Sequence, residues 1–410
     1  MRDYAAIARK ISGTLFSAQV VVSSGLIMMT TVGAIAGAEL SGRARWAGVP
    51  SAVVLLASAL GALAWGFIME RSGRRAGLVT GLTLGAAGAV LAGGALVATN
   101  FWIFLGGLAL VGLAQAAMLL GRYAAADVHP AQERGRAIAN VVVGGTIGAV
   151  IGPLLVAPTG QLAVAAGLNE LVGPYAGAFV LLSSAALVIF FLLRPEPAGI
   201  RRELAAQDAA SDLVPGKKRP VIQIMRQPAG IVATAAMVIG QLVMVILMVI
   251  TSLYMKQNGS TLGQISIVIS AHTFGMFAFS IISGRLADRF GRTPVILAGS
   301  VTLVIACLGS MLPPSVVTLA GALFLLGLGW NFCFVGGSAL LTDQLTPAEQ
   351  PRMQGFNDLL VGLASALGSL ASGFIFATAG YRPMGVVGVL LALIPFSLAL
   401  WWWRISRKTQ

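Results

Sequence analysis

Long apolar runs alternate with short polar punctuation along the whole chain. Twelve runs stand out, at roughly 12–38, 47–69, 76–98, 101–122, 137–158, 175–193, 229–252, 262–283, 293–312, 315–341, 354–378 and 381–403. A helix needs about 20 residues to cross the hydrocarbon of a bilayer, and most of these runs are that long. Lipid offers the backbone no hydrogen-bond partners, so each run is predicted to be a membrane-spanning helix.

The polar punctuation repeats. Gly66-Phe-Ile-Met-Glu70-Arg71-Ser-Gly73-Arg74-Arg75 lies between the second and third runs. Gly284-Arg-Leu-Ala-Asp288-Arg289-Phe-Gly291-Arg292 lies between the eighth and ninth, 218 positions later. A second pair follows: Asp127-Val-His-Pro130 closes the fourth run, and Asp343-Gln-Leu-Thr-Pro347 closes the tenth. The second half therefore reads as a copy of the first. The chain divides into an N-terminal six-helix bundle (1–194), a linker (195–228) and a C-terminal six-helix bundle (229–410). Residues 201–210 of the linker read equally as a short amphipathic surface helix or as flexible chain.

Charge sharpens this picture. Lys and Arg number 27, and 23 of them fall in alternate loops and at the two ends, leaving only Arg43, Arg45, Lys256 and Arg382 on the other side. Basic loops stay in the cytoplasm, so both termini are expected there. The net charge of +13 is spread this way rather than gathered on a polar domain, which removes a nucleic-acid reading. Hydrophobic residues make up 57% of the chain and charged residues 10%, which excludes a water-soluble globule. The apolar start is too long for a cleavable signal and has no clear cleavage site. Cys307 and Cys333 both lie within apolar runs and form no disulfide framework.

Two six-helix halves, a long central linker and the paired turns resemble the major facilitator superfamily over essentially the whole chain. The most specific match is the family pattern G-x-x-x-D-R-x-G-R-R. Gly66, Arg71, Gly73, Arg74 and Arg75 fit it, with Glu70 in the usual Asp place; Gly284, Asp288, Arg289, Gly291 and Arg292 form the second copy. The resemblance implies an all-α membrane fold of twelve helices in two pseudo-symmetric bundles. It also implies a cytoplasmic gate in which the acid sits at a helix N-terminus of the other half and the arginines pair with Asp127 or Asp343. Glycines in these turns are expected to permit tight bends and close helix contact. The longer Glu70 arm is expected to make the first copy differ in geometry from the second. Gly148-Ala-Val-Ile-Gly152-Pro153 resembles a motif of the antiporter branch, in which the glycines pack closely and the proline kinks the helix. The Arg that proton-coupled drug exporters carry in span 4 is replaced here by Leu108.

Candidate chemistry is sparse. Buried ionisable residues are costly in lipid, which makes His272 and Asp358 the candidates for proton coupling. Asp358 lies roughly 7 Å inside span 11 at 1.5 Å per residue, so it reads more readily as part of the gate, or as a satisfied polar contact near the helix start, than as a proton carrier. In this family cavity walls come mainly from spans 1, 4, 7 and 10. Span 7 carries Thr234, Met237, Gln241, Met244 and Met248 on one helix face. Gln19, Ser23 and Met28 of span 1, Gln115 and Met118 of span 4, and Trp330, Asn331 and Phe334 of span 10 complete the candidate substrate cavity. Adaptable Met, aromatic rings and a few amides suit an amphipathic or aromatic solute. No nucleotide loop, metal cluster or nucleophile–base constellation is present, so neither an enzyme nor a cofactor is expected. The expectation is a monomeric secondary transporter of the bacterial inner membrane, exporting its solute against protons. Uptake or facilitated diffusion of a metabolite or vitamin is the alternative, and a receptor that moves nothing is a third.

Overall fold

Helix is the only conformation that lets each apolar run satisfy its own backbone, and helix is what forms. In the computed structural model, which describes residues 4–130, 133–207, 219–346 and 349–406, twelve helices are long and apolar enough to cross a membrane. They match the expected runs one for one. Among the described residues there is no strand.

The chain falls into two compact units, one of residues 1–41 and 53–213, the other of residues 42–52 and 214–410. The first contains α1 (Tyr4–Ser41), most of α2 (Val49–Ser72), α3 (Arg74–Val97), α4 (Phe101–Asp127), α5 (Arg134–Leu154), α6 (Val156–Ala165), α7 (Val172–Leu192) and α8 (Pro197–Gln207). Its main packing pairs are α3 with α4, α1 with α5 and α3 with α7. Backbones approach closely where side chains are absent. A Cβ on Gly148 would stand 2.2 Å from the Val20 carbonyl oxygen, and one on Gly152 would stand 2.6 Å from that of Ser24. The small-residue stripe is thus what seats α5 on α1.

Pro153 stands where the helical run is interrupted. It sits in the last turn of α5, which ends at Leu154, and a separate short helix α6 follows. Proline cannot donate to the preceding turn, and after a break at Leu155 the helical path resumes as α6 at Val156.

The second unit contains a short 3-10 helix (Ala44–Trp46), α9 (Val221–Met225), α10 (Pro228–Gln257), α11 (Leu262–Phe277), α12 (Ser280–Phe290), α13 (Arg292–Ser310), α14 (Val316–Thr342), α15 (Gln350–Ala379) and α16 (Tyr381–Ser406). Residues 42–52 belong to it because they cross α15 at backbone distance. Ser369 Oγ donates to the Gly48 carbonyl at 2.7 Å, and a Cβ on Gly48 would overlap the Ser369 carbonyl. Span 8 is not continuous: α11 and α12 are separated at Ala278–Phe279. The linker is partly ordered. α8 begins at Pro197, four residues before the expected amphipathic stretch, of which residues 208–210 lie outside the described residues.

Candidate functional site

The two repeated turns have nearly identical backbones. Gly73 has φ 90° and ψ 162°, and Gly291 has φ 93° and ψ 161°. Both values lie where only glycine is at ease, and each glycine starts the helix that follows. The next residue is an arginine in both copies. Arg74 Nε donates to Asp127 Oδ2 at 2.9 Å, and Arg292 Nε donates to Asp343 Oδ2 at 3.1 Å.

Around this shared frame the copies diverge. The Asp127 side chain is 9% exposed, and Arg201 of α8 approaches its other oxygen at 3.6 Å. Asp343 is 47% exposed. Asp288 pairs with Arg292 at 2.6 Å, one helical turn away. Glu70, its counterpart, is exposed and makes no ion pair among the described residues. Arg71 and Arg289 stack on their neighbours: Arg71 lies 3.9 Å from the Phe67 ring centroid, and Arg289 lies 5.3 Å from that of Phe290. Gly66 and Gly284 differ from the close contact expected of them. They lie within α2 and α12 with no heavy atom within 4 Å of an added Cβ; of the four motif glycines only Gly73 is closely approached, by Glu196.

Two carboxylates that the motifs did not point to complete these ends. Glu196 follows the end of α7 and accepts the backbone N–H of Arg74 at 2.6 Å and of Arg75 at 3.3 Å. It caps the positive end of α3, where a carboxylate is favoured. A Cβ on Gly73 would stand 2.9 Å from the Glu196 carboxyl carbon, so the glycine also makes room for the cap. Glu349 precedes the first residue of α15 and is 3% exposed. It accepts Arg219 Nε at 2.9 Å and Arg219 Nη2 at 2.8 Å, and also the backbone N–H groups of Arg219 and Thr346. The fork-on-carboxylate arrangement is the strong form of such a pair. The guanidinium and the two N–H groups hold the Glu349 carboxyl well below the usual range, and Glu349 raises Arg219 in turn. The only sequence signal for either acid is its place beside a helix start. Apart from Thr346, their partners lie more than 120 residues away.

The candidate coupling residues are in different surroundings. His272 is fully buried on α11, and its Nδ1–H donates to the Leu323 carbonyl at 2.8 Å. That acceptor fixes the tautomer and leaves Nε2 without a partner among the described residues. Asp358 is exposed on α15, not buried.

The candidate cavity residues do not all present themselves to a solute. In the first unit Gln19 donates to Ser23 at 3.0 Å, and Gln115 is half-buried. Met28 and Met118 are sealed inside the bundle instead, Met28 against Thr159. In the second unit Met244 and Thr234 are buried, and Met248 is half-buried. Gln241 is the centre of a polar group: it accepts Trp330 Nε1–H at 2.7 Å and donates to Ser365 Oγ at 2.9 Å. Trp330 stacks on Phe334 with centroids 5.0 Å apart. Asn331 is turned away from this surface. Its amide donates to the Met276 carbonyl at 2.6 Å and to Ser280 Oγ at 2.9 Å, and accepts from Ser283. It fills the break between α11 and α12, where interrupted backbone needs partners inside the membrane. Among the described residues no cluster of His, Cys, Asp or Glu has the arrangement of a metal site.

Residues 14–254 and 232–410 match the sequence profile of the Major Facilitator Superfamily. An uncharacterized transporter of that type from Bacillus subtilis, YdeG, is 34% identical over 386 residues, spanning 93% of this chain and 89% of the relative. The riboflavin transporter RfnT of Brucella anthropi is 30% identical over 406 residues, 98% of each chain. Among solved structures, a bacterial homologue of the human lysosomal transporter Spinster superposes with a TM-score of 0.71 over 97% of both chains, at 15% identity.

Proposed function

Because the chain belongs to the Major Facilitator Superfamily and is a multi-pass membrane transporter of that family, we propose that it moves a small amphipathic, aromatic solute across the bacterial cytoplasmic membrane by alternating access. Both termini face the cytoplasm in this reading, as the loop charges favour. The observation that carries it is the Gln241–Trp330–Phe334 group. The indole is 9% exposed and the phenyl half-buried, so their flat faces, and the amide that orients the indole, become available to a solute as the transporter changes state. Such a surface suits a planar ring system with a polar rim.

Proton-coupled efflux is the first form of the proposal. His272 is its carrier, with a buried Nε2 that has no partner among the described residues, and the Gly73 and Gly291 turns are the latches on the cytoplasmic side. The near-full-length match to a riboflavin transporter favours the second form, transport of an aromatic vitamin or metabolite without obligatory proton exchange. Purified protein in liposomes tests both, with riboflavin fluorescence as the readout. Flux accelerated by an opposing pH gradient and abolished by His272→Ala supports efflux. Flux that ignores the gradient supports the second form. Thermal-shift binding of riboflavin without flux would overturn transport and leave a receptor.

A further inference from the structure

The outer face of the first unit carries a furrow between α3 and α7, with a volume of about 520 Å³. Thr83 and Ala87 on α3 face Ala186 and Leu187 on α7, and Phe179 and Phe190 mark its ends. Small side chains on α3 leave the gap. Thr83 Oγ is bonded to the Val79 carbonyl at 2.9 Å, so the wall makes no polar demand there. Leu187 is 56% exposed and Phe190 43%, which places the furrow on a surface that lipid covers in a membrane-spanning bundle.

One end of the furrow is cationic. The Arg75 guanidinium carbon stands 4.8 Å from the Phe190 ring centroid, and that of Arg194 stands 6.0 Å from the same centroid. Arg75 Nε donates to the Phe190 carbonyl at 3.0 Å, which fixes the guanidinium and leaves its terminal nitrogens available. Neither arginine forms an ion pair among the described residues. The nearby carboxylate, Glu196, is engaged by the backbone N–H groups at the start of α3. In the second unit Thr293 stands 218 positions on from Arg75, so the cationic end is not repeated.

We propose that this furrow is a binding site for an anionic phospholipid, with an acyl chain between α3 and α7 and the phosphate on Arg75 and Arg194. A planar guanidinium matches phosphate oxygens, and basic side chains at the end of a transmembrane groove select anionic headgroups. The site adjoins the first latch: Arg75 follows Arg74, and Arg194 lies two residues before Glu196. A bound lipid therefore braces the turn that the Arg74–Asp127 pair closes.

The test is native mass spectrometry of the full chain in neutral detergent with equal dioleoylphosphatidylglycerol and dioleoylphosphatidylcholine. The expected preference for the anionic lipid is about tenfold. In Arg75→Gln/Arg194→Gln it falls to about one, with phosphatidylcholine retention unchanged as the sign of intact folding. Ala87→Phe, which fills the furrow, reduces retention of both lipids. A preference that survives the double substitution overturns the proposal. So does displacement of phosphatidylglycerol by an equal concentration of glycerol 3-phosphate, which would mark an anion site with no role for the chain.

Discussion

The Gly73 turn and the Gly291 turn are the same backbone in two settings. In the first, the arginine–aspartate pair is nearly sealed, a second arginine approaches the aspartate, and a glutamate caps the following helix. In the second, the aspartate is half-exposed and the arginine is shared with a neighbour one turn away. The motif thus dictates φ, ψ and one ion pair. Burial decides what that pair is worth, since exposed pairs contribute about 0–1 kcal/mol while losing one partner of a buried pair costs several.

The largest difference is expected from the glycines. Gly73→Ala and Gly291→Ala both force a positive φ, at about 1–3 kcal/mol. Only Gly73→Ala also drives a Cβ into Glu196; around Gly291 the nearest atom would be 3.8 Å away. The first variant should melt lower than the second in a thermal-unfolding assay, and equal melting would show the Glu196 contact to be idle. Next come the aspartates. Asp127→Asn leaves Arg74 and Arg201 facing an uncharged amide and is expected to cost about 2 kcal/mol, whereas Asp343→Asn should stay within about 1 kcal/mol. The reverse order would refute the role given to burial. Glu196→Gln should cost about 0.5–1 kcal/mol as the charge at the α3 N-terminus is lost. Glu70→Asp, which installs the acid of the second copy, should change stability by no more than about 0.5 kcal/mol.

The Arg219–Glu349 clasp gives a comparison with pH. The Glu349 carboxyl is depressed in the folded chain, so its contribution is complete above the ordinary glutamate range and is lost as pH falls below it. Limited proteolysis of the linker should therefore be constant from about pH 6 to 8 and accelerate only in acid. Arg219→Ala should expose the linker at neutral pH. Cleavage that is unchanged in that variant would show that the clasp does not hold the chain.

The twelve spans were legible because each is a long apolar run with charged ends. The Gly73 and Gly291 turns were legible because a glycine among arginines, placed between two apolar runs and repeated at a fixed offset, marks a tight polar turn. Asp127 followed from the family resemblance, and its pairing with Arg74 is present in the structure. Glu196, Glu349 and Arg219 were not legible, since a carboxylate beside a proline-rich linker looks solvated until a distant helix end comes to it. The contacts of Asn331 were not legible for a related reason. An amide on an apolar span suggests a cavity, but here it repairs the break in span 8, and nothing in the local pattern announced that break. Met28 and Met118 show the same limit, because a flexible apolar side chain fits a sealed core as well as a cavity wall.

Transport itself is tested most directly by riboflavin flux into liposomes that carry the wild-type chain, Asp127→Asn or Asp343→Asn at equal protein content. The account predicts wild-type flux well above that of protein-free liposomes, a change of about tenfold in Asp127→Asn and one within about twofold in Asp343→Asn. Wild-type flux no greater than in protein-free liposomes, for riboflavin and for other planar aromatic solutes, would contradict it.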